Sequence, residues 1–271
     1  MRRHFFLFFI YFITLQNSYS QNENDKNAIS FSVGPSFPIG DFASTDPSNK
    51  FSGYAKVGET VNFAILHKIN KEIGLIAMLY GQRNGLNTNL IAQQFAETAI
   101  PFYYNGGGPN YYPNWAIDKK SWYLASFLLG ISDELFIGSS GKLSFTAKAL
   151  VGVADVQLPK LSASSKTDTS FATISQSSAS ALGLSYLAGV GLKYKWNKKL
   201  YFIFSIDYFG TTKISFKNVT ETIAATNGGL NIPGMYSLSN SKLPPQGYTS
   251  TTTIQQPIGS IDANFGIAIN F

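Results

Sequence analysis

Alternation of apolar and polar positions runs through much of this chain. In "LGLSYLAGVGLKYKW" Leu182, Leu184, Tyr186, Ala188, Val190, Leu192, Tyr194 and Trp196 share one face of an extended strand; Gly183, Ser185, Leu187, Gly189, Gly191, Lys193 and Lys195 share the other. After the polar turn "NKK" comes "LYFIFSIDYFG", with Leu200, Phe202, Phe204, Ile206 and Tyr208 set against Tyr201, Ile203, Ser205, Asp207 and Phe209, which makes a hairpin. "KLSFTAKALVGVA" and "AISFSVGPSFPIG" repeat the scheme, and so does the final stretch "IDANFGIAINF", apolar at every odd position from Ile261 to Phe271. Segments 53–67, 72–83 and 121–131 are less regular. Glu59 falls on the otherwise apolar face of Val57, Val61, Phe63 and Ile65, and a bulge near Gly58 would correct the phase. In "SWYLASFLLGI" both faces are apolar, so its faces stay unassigned.

These patterns predict eight strands, at about 28–39, 53–67, 72–83, 121–132, 141–155, 182–196, 199–212 and 259–271. The connections alternate in length. Short turns fall at Asn70-Lys71, 132–140 and 197–199; long loops fall at 40–52, 84–120, 156–181 and 213–258. An even strand count with short turns at one end and long loops at the other is the pattern of an outer-membrane barrel. The expected fold is therefore all-β: an eight-stranded antiparallel up-and-down transmembrane β-barrel over residues 28–271, with short periplasmic turns and long extracellular loops. The last strand would pair with both the seventh and the first, and closure would remove the free edge.

The amino end changes the picture in one respect. "MRRHFFLFFIYFITLQNSYSQ" has Arg2 and Arg3, an apolar run from Phe5 to Leu15, and small residues at Ser18 and Ser20. That order predicts a secretory signal peptide over residues 1–20, followed by a short segment at 21–27. Its apolar run is shorter than the roughly 20 residues a transmembrane helix needs. Composition agrees with a chain facing lipid: charged residues make up 13% and aromatics 15%, against about a quarter charged in ordinary soluble domains. Without cysteine, neither disulfides nor a cysteine-linked lipid is expected. Basic residues are scattered and form no stripe, which argues against nucleic acid as a partner.

"FSVGPSFPIGDF", "GLIAMLYGQRNG" and the ending "FGIAINF" resemble the small outer-membrane β-barrel proteins of Bacteroidetes, the porin-family or PorT-like group. The resemblance covers the strand framework and not the long loops. It implies a fold and a location but no activity. It also implies a role for Phe271 as the terminal aromatic that the barrel-insertion machinery recognises.

Candidate chemistry is sparse. The mature chain carries one histidine, His67, at the periplasmic end of the second strand, where it reads as an interfacial polar residue. No zinc-ligand cluster is present, and "NGGG" at 105–108 lacks the lysine and helix of a phosphate loop. Neither a catalytic site nor a cofactor is expected. Inward-facing Lys142, Lys148, Lys193, Lys195, Asp207 and Asp262 predict a lumenal charge network in which Lys148 and Asp207 could meet. Such a network would plug the lumen, since an eight-stranded barrel is just wide enough for side chains to fill. Function is then expected in the long loops. Phe102, Tyr103, Tyr104, Tyr111, Tyr112 and Trp115 cluster in one of them. They would stack on a surface ligand, grip a protein partner, or pack on one another to order the loop. The expected role is structural or partner-binding, without a sizeable pore. An accessory barrel of a transport or secretion machine, or a narrow porin, is the alternative.

Overall fold

The computed structural model describes residues 26–97, 101–103, 109–111, 114–138, 141–166, 171–226 and 248–271. The expected signal peptide lies outside the described residues. In chain order the strands are β1 (Asn27–Pro38), β2 (Ala55–Lys68), β3 (Ile73–Leu86), β4 (Pro101–Tyr103), β5 (Pro109–Tyr111), β6 (Ala116–Ile117), β7 (Ser121–Ile137) and β8 (Leu143–Leu158). They continue as β9 (Leu161–Lys166), β10 (Phe171–Gln176), β11 (Ala179–Lys195), β12 (Leu200–Thr211), β13 (Ile214–Thr226), β14 (Tyr248–Gln256) and β15 (Gly259–Asn270). Two helices, α1 (Gly40–Ala43) and α2 (Thr88–Glu97), lie in the loops after β1 and β3.

Eight strands close into an antiparallel barrel in the order β1-β15-β12-β11-β8-β7-β3-β2. These are the eight that the alternation marks. Their outer surface is apolar: Phe31, Val33, Leu75, Phe127, Leu129, Val151, Val153, Val190, Phe204, Phe265, Ile267 and Ile269 are exposed, and Leu182 and Leu184 are 71% and 65% exposed. The last strand pairs with β12 on one side and with β1 on the other. At its end Phe271 N–H donates to Asn27 O (2.9 Å), and Asn27 N–H donates to Phe271 O (3.1 Å). Phe271 is therefore part of the wall, tied to the first strand.

Both turns after β2 and β12's partner β11 use one device. Asn70 Oδ1 accepts the backbone N–H groups of Glu72 and Ile73, and Asn197 Oδ1 accepts those of Lys199 and Leu200. The side chain thus takes donors that a tight turn would otherwise leave unpaired. The turn after β7 is different. There Gly138 and Gly141 have φ of +74° and +60°, a conformation in which a Cβ is strained.

Two expectations need correction. First, β7 does not stop at 132 but continues to Ile137, which puts Glu134 in the barrel wall instead of a turn. Second, a bulge does fall next to Gly58, between Ala55 and Gly58, but it does not change the phase and leaves Glu59 outside. Glu59 is exposed there and reaches Arg83 on β3 (3.4 Å), so a neighbouring cation, not a change of face, accommodates it.

At the opposite end the described parts of the long connections are built structure. The segment 156–181, expected as a long loop, contains the paired strands β9 and β10. The segment 213–258, expected as a polar loop, contains β13 and β14. With β6 they make a second sheet in the order β14-β13-β10-β9-β6, a cap over the barrel mouth. Ile214, Phe216 and Val219 of β13 pack with the barrel core, and a second apolar core joins α2 to β9 and β10. Phe95 and Ile91 of α2 pack with Tyr54, Trp115, Ala163, Ala172, Ile174 and Ile223.

Candidate functional site

Two regions hold polar groups away from bulk water: the lumen and the cap. In the lumen the groups fall into layers because inward positions recur every second residue on each strand. Nearest the short turns, Lys68 Nζ lies 2.7 Å from Glu134, and Lys193 Nζ lies 3.4 Å from the same carboxylate. Ser144 Oγ also donates to Glu134 (2.7 Å), and the Lys193 ammonium stands 4.3 Å from the Tyr201 ring centroid.

Higher up, Lys148 Nζ is 3.0 Å from Asp207, which is 0% exposed. Ser205 Oγ and Asn264 Nδ2 donate to the same carboxylate (both 2.9 Å), and Thr60 Oγ1 donates to Asn264 Oδ1 (2.7 Å). Gly189 sits opposite both members of the pair in the strand ladders. A Cβ at that position would run into the Asp207 carboxylate, so glycine makes the pair sterically possible. Above it the Tyr80 hydroxyl donates to Asp262 (2.7 Å), and Gln82 Nε2 donates to Ser36 Oγ and Asn84 Oδ1. Apolar side chains fill the remainder. The Tyr80 and Phe209 rings stack at 4.4 Å, and Met78, Leu128, Leu150 and Leu187 are buried. The inner face of "SWYLASFLLGI", which the alternation could not assign, is therefore Trp122, Leu124, Ser126 and Leu128.

Of the lumenal residues singled out from the sequence, Lys148 and Asp207 meet directly. Lys193 joins Glu134 and Lys68, two residues the sequence reading did not select. Asp262 bonds Tyr80 instead of a lysine. Lys142 is not lumenal; it is exposed at the turn after β7. Lys195 is half-buried, its ammonium 5.8 Å from the Tyr201 ring. His67, exposed at the rim, meets Asn27 Oδ1 at 2.8 Å.

The cap carries an open cavity of about 650 Å3 above the barrel mouth. Its walls include Phe51, Tyr54, Trp122, Leu158, Ile254 and Glu221. The segment between α1 and β2 forms one side, and several hydrogen bonds fix it. Gln256 Nε2 donates to Phe51 O (2.8 Å), Trp122 Nε1 to Gly53 O (3.0 Å), and the Tyr54 hydroxyl to Gln94 Oε1 on α2 (2.9 Å). Gln94 Nε2 in turn donates to Thr45 O (2.7 Å). At its tip, Asp46 accepts the Ser48 N–H and Oγ–H, which holds its carboxyl below the usual range. Burial, and then the charge of Asp46, pushes the Tyr54 phenol up to about 12. Glu221 is 8% exposed on the cavity wall, and burial raises its carboxyl above the ordinary range.

Among the loop aromatics, Trp115 is not presented to a partner. It is buried edge-on against Phe95, with centroids 5.3 Å apart, and it belongs to the cap core. Phe102, Tyr103 and Tyr111 lie in the paired strands β4 and β5; their side chains, and all of Tyr104 and Tyr112, lie outside the described residues. Among the described residues no three His, Cys, Asp or Glu side chains gather as a metal site.

The outward apolar belt settles the solvent. A soluble monomer does not expose a continuous apolar surface of this kind, whereas a closed barrel satisfies every wall N–H and C=O without water. The chain is an integral β-barrel protein of the Gram-negative outer membrane, with its short turns in the periplasm and its cap outside. No family model matches the chain, and no curated protein matches it. Solved structures similar to it include Ail, the attachment invasion locus protein of Yersinia pestis, at 14% identity and TM-score 0.40, covering 90% of this chain and 97% of that one. A major outer membrane protein from Thermus thermophilus is similar at 12% identity and TM-score 0.43, covering 90% and 99%. The outer membrane protein OprG from Pseudomonas aeruginosa is similar at 10% identity and TM-score 0.38, covering 90% and 96%.

Proposed function

We propose that this barrel conducts no sizeable solute and serves as a rigid mount for an extracellular binding cap. One observation carries the reading: a cavity of about 650 Å3 is framed by side-chain-to-backbone hydrogen bonds directly above a lumen filled by paired charges and apolar side chains. That volume falls within the roughly 300–1,000 Å3 of small-molecule sites. Phe102, Tyr103, Tyr104, Tyr111 and Tyr112 remain candidates for contact with a surface ligand or protein partner. No enzymatic activity and no cofactor are assigned.

Cells displaying the full chain, and cells displaying a variant in which a short Gly-Ser link replaces residues 160–178, are to be compared on arrays of glycans and host-surface proteins. The full chain should retain at least one ligand that the variant loses. Equal binding by both would contradict the proposal. The alternative, an accessory barrel of a secretion machine, draws on the strand resemblance alone; a stoichiometric partner in mild-detergent extracts would favour it.

Phe271 is proposed as the signal read by the barrel-insertion machinery. Phe271→Asp should lower outer-membrane levels severalfold while leaving the unfolding midpoint of the assembled barrel nearly unchanged. Normal membrane levels would refute this.

A further inference from the structure

Among the described residues, Glu221 is a carboxylate to which the fold gives no partner. It stands on β13, across from Gln176 of β10 and Ser250 of β14, with its side chain on the cavity wall. The residue is more than nine-tenths buried. Among the described residues no hydrogen bond or ion pair reaches its carboxylate, and burial is the one influence acting on it. Its polar neighbours are engaged elsewhere. Gln176 Nε2 donates to Pro159 O (3.4 Å), and Gln256 Nε2 donates to Phe51 O and Pro257 O. The lysines beside the cavity wall, Lys50 and Lys213, stand over the Phe51 ring at 5.0 and 4.4 Å, not on Glu221. Glu134, Asp207 and Asp262 in the lumen each have a donor within reach, and among the described residues this carboxylate has none. A carboxylate on the wall of a half-open cavity offers an incoming cation both charge and hydrogen-bond acceptors.

We propose that the cap cavity binds a small organic cation, a primary or secondary ammonium with an apolar or aromatic body, whose N–H groups bond Glu221. The inference rests on the binding-cap reading and names its ligand class. The walls fit such a body. Tyr54, Trp122, Leu158 and Ile254 supply apolar and aromatic surface, and an ammonium gains both from the carboxylate and from nearby ring faces.

The test uses the full chain, refolded in detergent micelles or nanodiscs, with phenethylamine and tryptamine as probes. Their neutral isosteres 2-phenylethanol and tryptophol are the controls, and calorimetric titration at neutral pH is the readout. At least one amine should bind saturably, its alcohol should bind at least tenfold more weakly, and Glu221→Gln should erase the difference. The variant keeps the size of the side chain, so its heat-shifted gel mobility should match the parent. The inference is overturned if neither amine binds, if an alcohol binds as well as its amine, or if Glu221→Gln leaves amine binding unchanged. None of these outcomes touches the wider reading, which falls only if loss of the β9–β10 hairpin leaves surface binding intact.

Discussion

The lumen and the cap treat buried charge in opposite ways. In the lumen, Asp207 receives Lys148, Ser205 and Asn264, and Glu134 receives Lys68, Lys193 and Ser144. In the cap, Glu221 lines an open cavity and receives none of the described side chains. A paired network specifies one packing and closes space; a carboxylate beside a cavity leaves space and chemistry for something else. Burial alone therefore does not mark a functional site. What separates the two regions is whether the described residues supply the partner.

The largest break in that comparison should come from the lumen. Lys148→Met strands Asp207 without its cation, and breaking a buried pair from one side costs about 3–5 kcal/mol. Urea unfolding of the micellar protein should show the loss, and Lys148→Met combined with Asp207→Asn should recover most of it. An unchanged midpoint for the single variant would mean the pair carries no structural weight. In the cap, Phe95→Ala removes the ring that packs on Trp115, a change worth about 3 kcal/mol in a tight core. The expected readout is local: faster proteolysis within 88–120, with the heat-shifted barrel band retained. If the barrel band were lost as well, the two regions would be one cooperative unit.

Gly189→Ala should cost about 1–3 kcal/mol through overpacking against Asp207. Adding Asp207→Asn should not relieve it, because the amide has the same volume; adding Asp207→Ala should. The smallest effect belongs to Glu221. Its folded value is raised, so the folded cap holds the proton more tightly than the unfolded cap does. Its contribution to cap stability is full below the unfolded value and is lost as pH rises through the raised folded value. Amide exchange in 171–226 should therefore quicken slightly as pH rises above about 4.3, after correction for intrinsic rates. Glu221→Gln should flatten that trend.

The barrel strands were legible in the sequence because lipid on one side and a packed lumen on the other impose a two-residue period, clearest in β11, β12 and β15. The period blurs where the lumen is itself apolar. Trp122, Leu124 and Leu128 face inward opposite an equally apolar outer face. It was also misread at Glu134, where the polar run "SDE" looked like a turn, although Leu135, Phe136 and Ile137 follow it and continue the wall. The cap strands were hidden for a different reason. In β13 the inward positions Ile214, Phe216, Val219, Glu221 and Ile223 alternate, but a bulge between Phe216 and Val219, with Asn218 at φ +57°, shifts the phase midway. Serine, threonine and alanine in β9 and β10 give little contrast between faces. A cavity formed by segments far apart in the chain leaves no local signature, so neither it nor the isolation of Glu221 could be read before the segments were assembled.

Single-channel recording of the purified protein in planar bilayers tests the central claim most directly, because it asks whether the lumen is closed while the cap stands open. The account predicts a silent bilayer apart from rare, small, unstable fluctuations. Stable, large, uniform conductance steps from the wild-type protein would contradict it.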